Sequence, residues 1–465
     1  MAAISVQKGA APDFSSFANV IDGRLVAGVT TSFGLNPATE KPNPTVPIAT
    51  LDDVNFAVEA AQRASKSWAK TTLAERAAAV NAFAAAITEN RDQLAGLLTQ
   101  EQGKPLAEAC GEVDAGGFWL TETAKLGLQD EVIEDSSDRR VTVRYTPLGV
   151  AVGIIPWNFP VQQTCGKVGP AVMTGNSIIL KPSPFTPYCA LKLGELAQQF
   201  FPPGVIQVLN GGDNLGPWLT THKGVNKISF TGSTAMGRRI MQAVAGSFKR
   251  VTLEMGGNDA AIICEDVDVG SVVKKVAGLA FTNAGQVCMA IKRIFVHADI
   301  YEPFREAFVN YMRSLKVGGG ADPGVHVGPI QNMIQYKKEL KPKGFFVNPM
   351  LVERPPDDAR IVVEEPFGPI VPILTWEKEE EVIKRANNTN MGLGASVWTK
   401  DIRGRRIAEQ VEAGTVWINT HLEPSPTIPF GGFKDSAVGV EYGTAGMRAF
   451  CNLQAIVENK SAEEM

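Results

Sequence analysis

Three residues of this 465-residue chain offer a nucleophile, an oxyanion donor and a general base. Cys288 ends a run of small and amide residues, Asn283-Ala284-Gly285-Gln286-Val287-Cys288. A buried structural cysteine is the ordinary outcome for such a residue. Glycine beside it favours backbone access, so the thiol is a candidate nucleophile and its N–H a candidate oxyanion donor. Glu254 lies in Leu253-Glu254-Met255-Gly256-Gly257, at a strand end before paired glycines. A carboxylate there is often merely solvated, yet it also suits general-base work on water. Asn158 lies in Pro156-Trp157-Asn158-Phe159-Pro160. Two prolines fix that loop, Trp157 supplies a flat wall, and the Asn158 amide is a preorganised donor to a developing oxyanion. A rigid buried loop is the competing reading.

Phe230-Thr231-Gly232-Ser233-Thr234 stands where a strand should end and a helix begin. A glycine turn there lets backbone N–H groups approach a phosphate at a helix N-terminus. The segment alone is a weak signal, and no GxGxxG run accompanies it.

The surrounding texture says what must position these groups. Short apolar runs at Val150–Ile155, Ser177–Leu180, Val205–Leu209, Lys227–Phe230 and Val251–Leu253 alternate with helical stretches at 187–200, 213–221 and 233–246. That alternation predicts an α/β fold with a doubly wound parallel sheet, which binds ligands at the carboxyl ends of its strands. Helices are expected at 51–68, 73–98 and 105–126. A second βα region starts near 260, with helices at 268–283, 301–315 and 377–387 and strands at 293–297, 370–374 and 395–398. Residues 130–145 read as a two-stranded projection, and 1–50 as an extended arm with short strands.

Composition narrows the class. Lys and Arg number 45 against 49 Asp and Glu, so neither nucleic acid nor an anionic membrane is expected as partner. No apolar run approaches the roughly 18 residues of a membrane span. No secretory signal is visible, so a cytoplasmic location is expected. Six scattered cysteines form no CxxC pair, and five of them are expected in the core. Four histidines without a ligand-like spacing predict no metal site.

Taken jointly and in order, the motifs resemble the aldehyde dehydrogenase superfamily over nearly the whole chain. They are Glu101-Gln102-Gly103-Lys104-Pro105, the Asn158 loop, Gly175-Asn176, Lys181-Pro182-Ser183, the Gly232 turn, the Glu254 segment, Gly285-Gln286-Val287-Cys288, Glu364-Glu365-Pro366-Phe367-Gly368-Pro369 and Pro429-Phe430-Gly431-Gly432-Phe433-Lys434. The resemblance implies a Rossmann-like domain over 1–122 and 146–252, a catalytic domain over 253–440, and a bridging, oligomerising segment over 123–145 and 441–465. It implies Cys288 as nucleophile, Asn158 with the Cys288 N–H as oxyanion site, Glu254 as the base for deacylation, and Lys167 among the catalytic groups. Lys181, Ser183, Pro184, Ile155, Trp157, Gly232, Ser233, Glu365 and Phe367 would contact NAD or NADP. The activity implied is oxidation of an aldehyde to its acid through a thiohemiacetal and a thioester, in a dimer or tetramer.

Departures from the family pattern carry their own expectations. The chain is short where Lys341-Pro342-Lys343 joins Asn332–Leu340 to Gly344–Pro349, as if a helix end and a strand were missing. Ala437 stands where many relatives have glycine, which would strain a left-handed turn. Pro184 stands where many NAD-specific relatives carry a glutamate, leaving both cofactors open with NAD favoured. Positions expected at the substrate tunnel are Phe118, Trp119, Phe159, Gln162, Gln163, Val287, Met289, Glu423, Pro424 and Phe450, and the expected substrate is a small neutral or amine-bearing aldehyde. The alternatives are a CoA-acylating relative, against which Glu254 argues, and a non-catalytic relative of the same fold.

Overall fold

In the computed structural model, residues 3–5, 12–336 and 344–460 are described. The junction at Lys341–Lys343 lies outside them.

After short N-terminal strands come four helices: α1 (Leu51–Trp68), α2 (Leu73–Glu89), α3 (Arg91–Gln102) and α4 (Leu106–Lys125). Thr50 and Thr72 each close a capping box with Asp53 and Glu75, so two helix starts are written locally. The single helix expected over 73–98 is in fact α2 and α3. Asn90 leaves helical geometry (φ −102°, ψ 19°) and its side-chain amide donates to the Ala86 carbonyl at 2.8 Å, ending α2. Apolar periodicity continues across that break, which is why the pattern reads as one helix.

Parallel strands Ile206–Val208, Ser177–Lys181, Val150–Ile154, Lys227–Thr231 and Arg250–Glu254 lie side by side in that order. The intervening helices are α5 (Pro160–Met173), α6 (Tyr188–Ala197), α7 (Leu215–Thr221) and α8 (Thr234–Val244). The sheet extends through Asn19–Ile21, Arg24–Val26 and Ala3–Ser5 on one edge and Ala437–Val438 on the other. Ala437 pairs antiparallel with Glu254 and takes no positive φ, so the expected strain is absent. Gly439, at φ 79°, makes the left-handed turn instead. Helix α5 was not anticipated. Its glycines and interior Pro170 hide a segment that is buried on nearly every side.

A second sheet of six parallel strands runs Met350–Glu353, Ile370–Trp376, Ile291–His297, Asp259–Ile263, Gly394–Trp398, Thr415–Ile418. It packs against α9 (Val269–Phe281) and α10 (Tyr301–Ser314). Residues on either side of 337–343 meet: the Tyr336 and Phe345 rings stack at 5.3 Å, and the Ile330 N–H donates to the Phe345 carbonyl at 2.8 Å. The 130–145 projection is a three-stranded antiparallel sheet, because Cys451–Asn459 pairs with Arg139–Pro147 beside Glu131–Asp135. No described helix is long and apolar enough to cross a membrane. Cys165, Cys189 and Cys264 are core residues, whereas Cys110 and Cys451, also expected in the core, are half-buried.

Candidate active site

Cys288 follows a turn in which Asn283 (φ 50°), Ala284 (φ 55°) and Gly285 (φ 71°) are all left-handed. A non-glycine residue there costs about 1–2 kcal/mol, so surrounding bonds must hold the turn. Lys292 Nζ donates to the Gly285 and Pro366 carbonyls at 2.9 Å each. Gln286 Oε1 accepts from the Gln331 N–H at 2.9 Å. A Cβ on Gly285 would lie 2.2 Å from the Gly368 carbonyl, so only glycine lets the Glu365–Pro369 segment approach.

Asn158 reaches this turn from the loop between the strand Val150–Ile154 and α5. Its side-chain amide donates one hydrogen to the Gln286 carbonyl at 3.0 Å. That bond sets the orientation of the amide, and its second hydrogen remains available to an incoming oxygen. Pro160 begins α5 at the next turn, where proline's missing N–H costs nothing.

Glu254 ends its strand almost wholly buried. Its carboxyl oxygens meet no N–H or O–H donor, and its companion is the Cys288 thiol. Burial raises the carboxyl to about 8; the nearby Glu441 charge adds to this, while the thiol and Lys167 oppose it. Burial likewise pushes the Cys288 thiol well up, with Glu254, Glu365 and Asp259 adding to the shift. Burial thus favours the neutral form of both groups. Behind Glu254, Lys167 Nζ bonds Glu441 at 2.7 Å, Thr231 Oγ1 at 2.8 Å and Ser229 Oγ at 3.2 Å. Glu365 accepts from the Gly257 N–H at 3.1 Å. A Cβ on Gly256 would come within 2.4 Å of Glu365, and one on Gly257 within 2.4 Å of the Cys288 carbonyl. The paired glycines thus let nucleophile, base and Glu365 share one small space.

Several of the residues expected at the cofactor stand at or just beyond the carboxyl ends of the strands Ser177–Lys181 and Lys227–Thr231. Lys181 ends its strand, with burial lowering its ammonium to about 8, and Nζ donates only weakly, to the Pro182 carbonyl at 3.3 Å. Ser233 caps α8 by accepting from the Met236 N–H at 3.3 Å. Beside it, the buried Thr234 Oγ1 has no partner. An unpartnered hydroxyl and a helix N-terminus together fit a pyrophosphate. Trp157 and Phe367 meet edge to face at 5.3 Å, and Lys292 Nζ lies 4.9 Å from the Phe367 ring. Gly232 sits beside the Phe230 ring, Ser183 is buried, Pro184 is exposed and Ile155 is core. Thr234 closes the Gly232 turn segment singled out in the sequence.

On the substrate side, Cys288 and Met289 pack against Trp119, Phe430, Tyr442 and Leu393. Phe430 and Tyr442 were missed, because aromatic residues alone do not announce a pocket. Gln163 accepts from Thr231 Oγ1 at 3.1 Å and also bonds Tyr442. Gln162 is half-buried and Val287 fully buried, whereas Phe118 and Glu423 are exposed, with Pro424 half-buried. The Phe159 ring faces Lys104 rather than open space. Phe450, expected at the tunnel, belongs instead to the core of the first domain, where its ring lies 5.2 Å from Lys227 Nζ. His421, held neutral by burial at about 4, contacts the Met289 carbonyl through Nε2 at 2.9 Å. Among the described residues, no group of three His, Cys, Asp or Glu is disposed to hold a metal ion.

These features agree with the proteins the chain resembles. Residues 30–456 match the aldehyde dehydrogenase family. The chain is 39% identical to aldehyde dehydrogenase LUC3 of a Fusarium species, over 96% of this chain and 99% of that one. It is 35% identical to the NADP-dependent succinate-semialdehyde dehydrogenase GabD of Escherichia coli, over 90% and 92%. The solved betaine aldehyde dehydrogenase of Staphylococcus aureus, in complex with NAD+, superposes with a TM-score of 0.92 at 32% identity, covering 96% and 95%. The chain belongs to the aldehyde dehydrogenase family and is an NAD(P)-dependent oxidoreductase that oxidises an aldehyde.

Proposed function

We propose that Cys288 is the nucleophile, Asn158 and the Cys288 N–H the oxyanion donors, and Glu254 the base that activates the deacylating water. The observation that carries this reading is that the Cys288 thiol meets the Glu254 carboxyl while the Asn158 amide bonds the Gln286 carbonyl, two residues before Cys288. The thiol gives its proton to water and sulfur bonds the aldehyde carbon, moving charge onto oxygen, where the two donors meet it. Bound NAD(P) supplies the hydride acceptor. Collapse of the oxyanion expels hydride from carbon and leaves a thioester on Cys288. Glu254, once deprotonated, takes a proton from water; the hydroxide bonds the acyl carbon and the carbon–sulfur bond breaks, restoring the thiol and releasing the acid. Lys167 and Glu441 set the charge behind Glu254.

Lys181, Ser183, Ser233, Thr234, Trp157, Glu365 and Phe367 would hold the cofactor, with Ile155, Gly232 and Pro184 lining its path. NAD is favoured over NADP, and a strong NADP preference in kcat/KM would overturn that. The apolar wall of Trp119, Phe430 and Tyr442 suits a small neutral or amine-bearing aldehyde, such as propanal or aminobutanal; fastest turnover of succinic semialdehyde would contradict this. The exposed strand Cys451–Asn459 supports self-association. Domain limits of 1–122 with 146–252, 253–440, and 123–145 with 441–465 are proposed; the two parallel sheets and the projection support the division, with Ala437–Val438 crossing to the edge of the first sheet. The test of the whole reading is Cys288→Ala, which should bind cofactor and oxidise nothing.

A further inference from the structure

Lys104 and Glu112 form an ion pair whose side chains are 0% and 1% exposed, and no step above uses either. Lys104 lies in the turn after α3, and Glu112 lies on α4. The turn has little freedom. Gly103 is left-handed (φ 98°), and a Cβ on Gly320 or Gly328 would lie 2.3 Å from the Lys104 carbonyl or 2.4 Å from the Gly103 carbonyl. The Lys104 N–H donates to Gln102 Oε1 at 2.9 Å.

Among the described residues the ammonium makes three direct contacts, and the buried Glu108 carboxyl also feels its charge. One is the Glu112 carboxylate. The second is the Asn158 main-chain carbonyl, at 3.0 Å. The third is the face of the Phe159 ring, 3.8 Å from its centre. The other Glu112 oxygen accepts the Val161 and Gln162 N–H groups at 2.8 and 3.2 Å, capping the first turn of α5. Asn158, Phe159 and the start of α5 are therefore fastened to one buried cation–anion unit.

Satisfying that carbonyl does not require Lys104, because Asn283 Nδ2 already donates to it at 3.1 Å. Nor is a buried ion pair a good source of stability compared with an apolar pair of the same volume. What the ammonium adds is a second, fixed point. Asn283 ties the Asn158 peptide to the nucleophile turn, which itself sits in strained geometry, while Lys104 ties it to α3 and α4. A displacement of about 1 Å in a catalytic group can cost about 10²-fold in rate.

We propose that Lys104, braced by Glu112, is the positioning residue for the oxyanion donor: it fixes the Asn158 peptide and hence the aim of the Asn158 amide. This inference rests on the reading of Asn158 given above. It is tested with 4-nitrophenyl acetate and iodoacetamide on the full-length protein without cofactor. The ester acylates Cys288 through an oxyanion and releases nitrophenolate in a burst. Iodoacetamide alkylates the same thiol by direct displacement, with no oxyanion.

Lys104→Met should slow the burst about 10- to 100-fold and leave the alkylation rate within about twofold. Asn158→Ala should slow the burst about 10²–10³-fold, and adding Lys104→Met to it should slow it no further. An unchanged burst in Lys104→Met, an equal loss of alkylation, or an undiminished effect of Lys104→Met in the Asn158→Ala background each overturns the role of Lys104. An unchanged burst in Asn158→Ala alone overturns the oxyanion reading, and this inference with it. Should Lys104→Met fail to fold, Glu112→Gln keeps an acceptor for the α5 N–H groups and is held to the same split between burst and alkylation.

Discussion

Lys167 Nζ lies 2.7 Å from a carboxylate oxygen of Glu441, a residue 274 positions further along the chain. The pair is 1% and 8% exposed and stands behind Glu254. Removing one partner leaves the other charge buried without its counter-ion. Lys167→Met should therefore lose about 3–5 kcal/mol of unfolding free energy, measured by urea denaturation. Lys167 also holds the Glu254 carboxyl down. The same variant should move the rising limb of thioester hydrolysis to higher pH.

Glu254→Gln separates the two half-reactions. Acylation and hydride transfer do not need the carboxylate, whereas hydrolysis does. Mixing enzyme, NAD+ and aldehyde should give a burst approaching one NADH per active site, then turnover slowed by about 10²–10⁴. Intact-protein mass spectrometry should find the acyl group on Cys288. Wild-type steady-state rates in Glu254→Gln would remove Glu254 from its role.

Asp259 makes a pH prediction with a definite sign. Burial raises its carboxyl from 3.8 to about 8. The folded state then holds a proton that the unfolded chain gives up between those values. Its contribution is fully present below pH 3.8 and is lost as pH rises through about 8. Asp259→Asn cannot titrate, so the Tm of the variant should gain on wild type steadily from pH 5 to pH 8. A constant difference across that range would show Asp259 to be ionised in the fold.

Pro184 is exposed at the end of the strand that carries Lys181. A carboxylate there would repel a 2′-phosphate and accept from a 2′-hydroxyl. Pro184→Glu should raise the NAD/NADP ratio of kcat/KM at least about tenfold, equivalent to about 1.4 kcal/mol. An unaltered ratio would place the adenosine ribose elsewhere.

Leu453 and Val457, 66% and 62% exposed, share one face of the strand Cys451–Asn459. They pair with Tyr145 and Val141 on the next strand, so the face is an apolar patch at a sheet edge. Leu453→Asp with Val457→Asp should yield a monomer by light scattering, and wild type a dimer or larger. Equal masses for both proteins would exclude this face as the contact.

Much of this protein is legible without coordinates. Thr50 and Thr72 announce their helices because a capping box is local chemistry. The strands ending at Lys181, Thr231 and Glu254 are short apolar runs, and a parallel sheet puts the chemistry at their ends. Cys288, Glu254 and Asn158 stand out by residue type and by the glycines and prolines around them.

What lies beyond the sequence is pairing. Nothing near Lys104 announces that its ammonium meets the Asn158 carbonyl, 54 residues away, or that Glu112 caps a helix of another segment. Phe450 and Phe430 have equal apolar character, yet one fills a core and the other faces Cys288. The break at Asn90 and helix α5 are settled by what packs around them. Periodicity and residue type report that a side chain is buried or reactive. Which partner it meets depends on contacts between elements far apart in the chain, and those exist only once both sheets have folded against each other.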